Sequence, residues 1–329
     1  MIWLTWRHMR AQTLWTAGAL TALAAYLLYL GTDIRESYRI NVTDCTTACD
    51  EAARLLADQF GSGLLMTSLL LIAAPALIGA FWGAPLITRE LETGTHRLAW
   101  VQSVTRTRWL TVKLVIVGGA SVLLTGALSL LLTWAAGPFD TLVDSRFEPL
   151  TFAARDLAPF GYALLAFTLG LVIGVLTRKT LLAMALTLVV FTAFQLLMAN
   201  VLRPHYAEPV TETIDWADAN TVGQIDSFGI GPQGAGIQGY TIPGAWVLSD
   251  LIVVHKGDGT EVTGADIEAC DETGGGPDDC MLALDADFDV TYQPADRYWT
   301  FQWIEFAIAL GLAALLIAVA YWKLPRGLN

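Results

Sequence analysis

Charge is what this sequence has least of. Asp, Glu, Lys and Arg make up 15% of its 329 residues, hydrophobic types make up 54%, and mean hydropathy is +0.51. Soluble domains carry about a quarter charged residues, so a soluble globular chain of this length is excluded and an integral membrane protein is expected. Signatures of chemistry are also missing. No G-x-x-x-x-G-K-[ST] run occurs, so the chain lacks the usual loop for cradling ATP. Neither H-E-x-x-H nor G-x-S-x-G is present, and His8, His96, His205 and His255 are scattered, so no catalytic constellation and no metal site emerge. Any work done by such a chain draws on an ion gradient or on a partner.

What is present are long apolar runs. Six segments, at about 13–31, 62–84, 112–135, 158–177, 180–201 and 300–322, meet the requirement of roughly 17 to 25 mostly apolar residues for a spanning helix. Arg7 and Arg10 ahead of the first run imitate a signal peptide, but the run is too long and no small-x-small site follows, so a retained span is expected. With the N-terminus inside, 11 of the 19 basic residues fall on one side, accompanied only by Glu90 and Glu92, while 28 of the 31 acidic residues fall on the other. The basic side is therefore read as cytoplasmic, with both chain ends inside, and the net charge of -12 reflects the outer face rather than any relation to nucleic acid.

The fold expected is an all-α polytopic membrane protein with six transmembrane helices and a small β or α+β extracellular domain between helices 5 and 6. Residues 1–11, with Trp3 and Trp6 beside Arg7 and Arg10, read either as a short interfacial helix or as simple flanking of the first span. Residues 12–201 carry helices 1–5, with outer loops at 32–61 and 136–157. The stretch 50–60 has helical periodicity, and Thr177–Lys179 forms a tight inner turn. Residues 202–299 form the outer domain, with strand patterns at 245–255 and 281–292, and residues 300–329 form helix 6 and the inner C-terminus. Asp285, Asp287 and Asp289 alternate, which suits a solvated strand face better than a calcium loop.

All four cysteines fall on the predicted outer face, where disulfides persist. Of three possible pairings, the local Cys45–Cys49 and Cys270–Cys280 each close a short loop; no His lies near enough in sequence to favour zinc. Within the spans, Glu305 is the one clear acid, read either as a polar outer gate or as an interfacial carboxylate facing water. Gln195 and Asn200 suit interhelical hydrogen bonds, and Gly170 and Gly174 suit close packing within the chain.

The segment 83–114, GAPLITRELETGTHRLAWVQSVTRTRWLTVKL, is a compact polar block between two spans. Pro85–Leu91 continues the second span, Gly94 ends that helix, and Thr95 N-caps a short amphipathic helix carrying Arg97, Leu98, Trp100 and Val101; Ser103 or Thr105 then restarts the chain. Such a helix lies on lipid headgroups or fits a groove on a soluble protein. Glu90-Leu91-Glu92-Thr93-Gly94-Thr95, Leu98, Val104-Thr105-Arg106 and Lys113-Leu114 resemble the signature between the second and third spans of ABC-2 type transporter permeases. Together with YQPADRYWTFQWIE before span 6, the wording is similar to permeases of high-GC Gram-positive bacteria. Ser103 stands where many relatives have Pro, and the outer region is larger than in minimal drug-export permeases.

The resemblance implies a non-enzymatic transport subunit of the bacterial plasma membrane, exporting a hydrophobic or amphipathic solute such as a drug, peptide or lipid. Loop 85–111 would be the coupling helix, with Glu90, Glu92, Gly94, Thr95, Arg97, Leu98 and Trp100 docking a separate ATP-binding subunit. Two permeases, identical or paralogous, would work with two ATPases. ATP and magnesium would be bound by that partner, leaving this chain with no cofactor and only lipid as a further contact. The other class of function compatible with the sequence is a non-transporting sensor or mechanotransmission module whose extracellular domain binds a ligand.

Overall fold

The computed structural model describes residues 2–46, 49–94, 105–143, 146–231, 234–271 and 276–326. It divides into two compact units, one of residues 1–143, 149–199 and 302–329, the other of 144–148 and 200–301. The first is helical. Its elements are α1 (Ile2–Tyr38), α2 (Cys49–Ile78), α3 (Pro85–Glu92), α4 (Arg106–Lys113), α5 (Gly119–Val143), α6 (Pro149–Ala154), α7 (Ala158–Thr177), α8 (Thr180–Leu197) and most of α12 (Tyr298–Arg326).

Among the described residues five helical stretches are long and apolar enough to cross a membrane: Glu51–Glu92, Thr107–Leu142, Ala158–Thr177, Thr180–His205 and Ala295–Lys323. The remaining expected span falls on α1, which is one unbroken helix of 37 residues. No Gly or Pro precedes Gly18, so nothing breaks the backbone between residues 2–11 and the rest; the side chains of residues 2–17 lie outside the described residues. The expected loop at 32–61 is much shorter than the sequence suggested. Helical structure runs through a π-helical turn to Thr43 and resumes at Cys49, and the Cys45–Cys49 disulfide clips the turn between. The helical periodicity at 50–60 is thus the first part of α2. Residues 136–143 likewise continue α5 rather than forming a loop.

Packing in this unit centres on α7. α2 passes into α3 through a π-helical turn, Gly79–Gly83, that lies against it. A side chain at Gly170 would run into the Gly79 carbonyl, and one at Gly174 would meet the Ala84 carbonyl at 3.0 Å. The GLVIG spacing is therefore a seam where two backbones touch, as the small-x-x-x-small pattern suggested. Gln195 of α8 donates to the Ile72 carbonyl of α2 at 3.1 Å, one of the expected interhelical bonds. α7 ends at Thr177, Arg178 adopts the left-handed region (φ 56) with its N–H on the Gly174 carbonyl, and α8 starts two residues later.

The second unit is a six-stranded antiparallel sheet: β1 (Val210–Asp215), β2 (Ser227–Gly231), β3 (Gly234–Gln238), β4 (Trp246–Val247), β5 (Leu251–His255) and β6 (Asp287–Gln293). Its order is β1-β6-β5-β3-β2, with β4 also pairing β6. The register sets Ile214 and Val254 opposite Phe288, and Ile237 opposite Ile252. These residues, with Trp216, Tyr240 and Val290, form the core of the sheet unit. Short helices α9 (Ala219–Val222), α10 (Gly264–Asp271) and α11 (Pro277–Ala283) flank the strands, and Cys270–Cys280 ties α10 to α11.

The strand expected over 281–292 begins only at Asp287. Pro277 opens α11 in the first-turn position it favours, Asp278 and Asp279 sit where acids suit a helix start, and the Asp279 carboxylate accepts from the Gly276 N–H. Asp285, at φ 50, makes the turn into β6, so only Asp287 and Asp289 of the three alternating acids stand on the strand. Among the described residues no three His, Cys, Asp or Glu side chains converge as a metal site would require.

Candidate functional site

The polar block is held at both of its ends. On the first side, Pro85, Leu86, Ile87 and Thr88 of α3 are buried, and Thr93 closes the helix with its N–H and hydroxyl on the Arg89 carbonyl. Gly94 follows at φ +70, with open space around it. This is the left-handed stop that glycine makes at low cost, and it ends the helix where the sequence placed the end. On the second side, the Thr105 hydroxyl accepts from the Arg108 N–H at 3.3 Å and N-caps α4. Thr95, Arg97, Leu98 and Trp100, the core of the expected docking helix, lie outside the described residues.

The two sides are joined by Lys113. Its ammonium donates to the Glu90 carboxylate at 2.7 Å and to the Leu86 carbonyl at 2.9 Å. It also lies 4.0 Å from the centre of the Trp109 ring, one turn earlier on α4. Trp109 and Leu110 are buried with Leu86, Ile87, Phe167, Leu171 and Ala320, so apolar packing fixes α4 and the ion pair fixes its register against α3. Glu92 reaches elsewhere. One carboxylate oxygen accepts the Thr180 N–H at 2.8 Å and the other the Thr180 hydroxyl at 2.8 Å. The Thr180 N–H is among the donors at the start of α8 that no intrahelical carbonyl can satisfy, and a carboxylate there also suits the helix dipole.

Glu90 and Glu92 therefore bind α3 to α4 and to α8. Arg97 and Arg106 have no described side chains, and Lys113 and Thr180 are the partners the structure supplies. Lys113 stood in the resemblance without a role. Its spacing of four from Trp109 was the available signal, whereas nothing local pointed to Thr180.

Glu305 differs from the sequence reading. It is 0% exposed, within the helical unit, and accepts a hydrogen bond from Tyr162 of α7. Of its two readings, the interfacial carboxylate facing water does not fit this burial, and the outer-gate reading is not tested by it. Trp299 and Trp303 are exposed, but Glu305 lies about 200° around the helix from Trp303, on the buried side with Gln302 and Ala309. Gln302 is equally buried. Its side-chain oxygen accepts from the Leu157 and Ala158 N–H groups at 3.1 and 2.9 Å, and its amide donates to the Phe152 carbonyl at 3.2 Å. It satisfies the backbone exposed where the chain breaks between α6 and α7. Nearby, Arg155 and Asp140 form a buried ion pair at 2.6 Å. Both cysteine pairs are at disulfide geometry, with Cα separations of 5.7 and 5.5 Å, and no free cysteine occurs among the described residues.

Long apolar helices, a glycine seam, a separate sheet and a polar clamp at one helical end define a multi-pass membrane protein. A family model described as "ABC-2 membrane transporter related" matches residues 17–203, more than half of the chain, which therefore belongs to that family. The match covers the glycine seam, the clamp and the polar block together, and identifies a transport subunit of the bacterial plasma membrane, not itself catalytic, of a kind that normally works with an ATP-binding subunit. No curated protein and no solved structure matches.

Proposed function

We propose that this chain is the membrane-spanning permease of an ABC exporter that moves a hydrophobic or amphipathic solute outward. In this reading α1 supplies a sixth span, both ends are cytoplasmic, residues 202–299 are extracellular, and segment 95–104 is the coupling helix. Two permeases, identical or paralogous, assemble with two ATP-binding subunits, which hold the ATP and magnesium. The clamp carries the reading. Lys113–Glu90 and Glu92–Thr180 fix the two sides of segment 95–104 to three helices, so a push on the segment reaches α3, α4 and α8 at once. A segment that only rests on headgroups needs no such anchoring.

Leu98 and Trp100 are the apolar anchors of the docking helix. Truncating a buried aromatic at an interface centre costs about 2 kcal/mol or more, roughly a thirtyfold loss of affinity. Co-purification of a tagged permease with its ATPase should fall by that order for Trp100→Ala and stay unchanged for Asp258→Ala in the sheet unit. Equal recovery of the ATPase by both variants and the native chain would show that this segment does not dock it.

A further inference from the structure

α12 carries few polar side chains, and those with described bonds inside the helical unit sit at its two ends. At one end Gln302 holds the Leu157 and Ala158 N–H groups and the Phe152 carbonyl, and Glu305 meets Tyr162. At the other, the Tyr321 hydroxyl is 2.6 Å from the Thr111 hydroxyl of α4. Between them the contacts mix small residues with the larger Phe306 and Leu316. Ala309, Ala313 and Ala320 are buried, and a side chain at Gly161 of α7 would meet Ala309 at 3.0 Å. Nineteen residues of helix separate Gln302 from Tyr321, about 28 Å at the α-helical rise, close to the thickness of a hydrocarbon layer.

These attachments have a direction. Thr111 sits on the short helix that receives the chain from segment 95–104, two residues before the Lys113 of the clamp. Gln302 sits at a helix break, where α6 stops, Asp156 is forced to φ 57 and α7 begins. A break whose backbone donors are satisfied by another helix's side chain changes shape when that helix moves, because those donors cannot be left bare in an apolar layer.

Building on the proposed coupling role, we infer that α12 is a lever. Tyr321 takes up the displacement of α4, and Gln302 and Glu305 deliver it to the α6–α7 break at the far end of the helical unit. Gln302, Glu305, Tyr162 and Tyr321 are positioning residues. They hold the two ends of the lever and are not assigned contact with the transported solute.

The test uses the permease–ATPase complex in lipid nanodiscs. All four native cysteines are paired, so a single Leu150→Cys on α6, at a position 36% exposed, reports alone. Maleimide labelling is timed with and without ATP plus vanadate. The otherwise native complex should show a nucleotide-dependent change in rate. Tyr321→Phe and Tyr162→Phe, each removing one oxygen, should reduce that change about fivefold, the equilibrium factor for one lost hydrogen bond, while ATPase recovery and ATP hydrolysis are retained. Gln302→Leu should abolish it. An undiminished change in Tyr321→Phe and Tyr162→Phe, or none in a native complex that hydrolyses ATP, overturns the lever alone. Failure of the native chain to bind the ATPase overturns the coupling role beneath it.

Discussion

The Lys113–Glu90 pair is unequally buried, and that inequality predicts which partner can be lost. The lysine side chain is 6% exposed and the glutamate 33%. Removing one member of a fully buried pair costs about 3–5 kcal/mol, because the other charge is stranded; exposed pairs contribute under about 1 kcal/mol. Glu90→Gln leaves an ammonium out of solvent with the Leu86 carbonyl and the Trp109 face, and should cost about 2 kcal/mol. Lys113→Met keeps the aliphatic stem and leaves a carboxylate that already reaches solvent, so about 1 kcal/mol is expected. The double variant strands no charge and should resemble Lys113→Met alone, a clear departure from additivity. Thermal unfolding of the purified protein in detergent measures this, with shifts of about 2–4 °C per kcal/mol for a chain above 150 residues. A Lys113→Met variant less stable than Glu90→Gln, or a double variant whose loss is the sum of the singles, would refute the assignment of Lys113 as the buried member.

Three further outcomes follow from other contacts. Gly170→Ala places a methyl against the Gly79 carbonyl and should cost about 2 kcal/mol, whereas Gly311→Ala in open space on α12 should not; equal melting temperatures would dismiss the backbone seam. Alkylation without reductant, followed by intact mass, should add no label to any of the four cysteines, and four labels would overturn both pairings. Asp266 accepts from the Thr263 hydroxyl and N–H and faces Lys256, which lowers its carboxyl to about 2. A folded value below the unfolded one, near 4, gives stability that is present above about pH 4 and is lost as pH falls toward about 2. Tryptophan-monitored melting of Asp266→Asn should therefore show a flatter pH dependence over that window than the native chain; identical slopes would reject the contribution.

What the sequence made legible was local. Gly94 as a helix stop, Thr105 as one of two offered restarts, the turn at 177–179 and the GLVIG seam each rest on residues within a few positions of one another. The family resemblance rested on the same short stretches. What escaped was set by packing between distant segments. Glu90 and Lys113 are 23 residues apart, Glu92 and Thr180 are 88 apart, and Tyr162 and Glu305 are 143 apart. Glu305 is the instructive case, since only its water-facing reading fails. Judged by depth it lay near a helix end and two tryptophans; judged by angle, Gln302, Glu305, Ala309 and Ala313 share one buried side of α12. Helical periodicity held that information, and proximity in sequence obscured it.

The polar groups of the helical unit bear on how it can move. Glu90, Glu92, Lys113, Thr111 and Tyr321 gather where α3, α4 and α8 meet, and Asp140, Arg155, Tyr162, Gln302 and Glu305 gather around the α6–α7 break. Between them two close contacts are made through small residues, Gly79 against Gly170 and Gly161 against Ala309, beside larger buried side chains such as Phe167, Leu165 and Phe191. Hydrogen bonds are directional and resist displacement, while flat backbone contacts of small residues tolerate a change of angle. A force applied through segment 95–104 would therefore meet least resistance as a tilt of whole helices about the small-residue seams, with the bonded ends keeping their partners. On this account Gly170→Leu should abolish nucleotide-driven movement even in protein that still folds, because it replaces a pivot with a wedge.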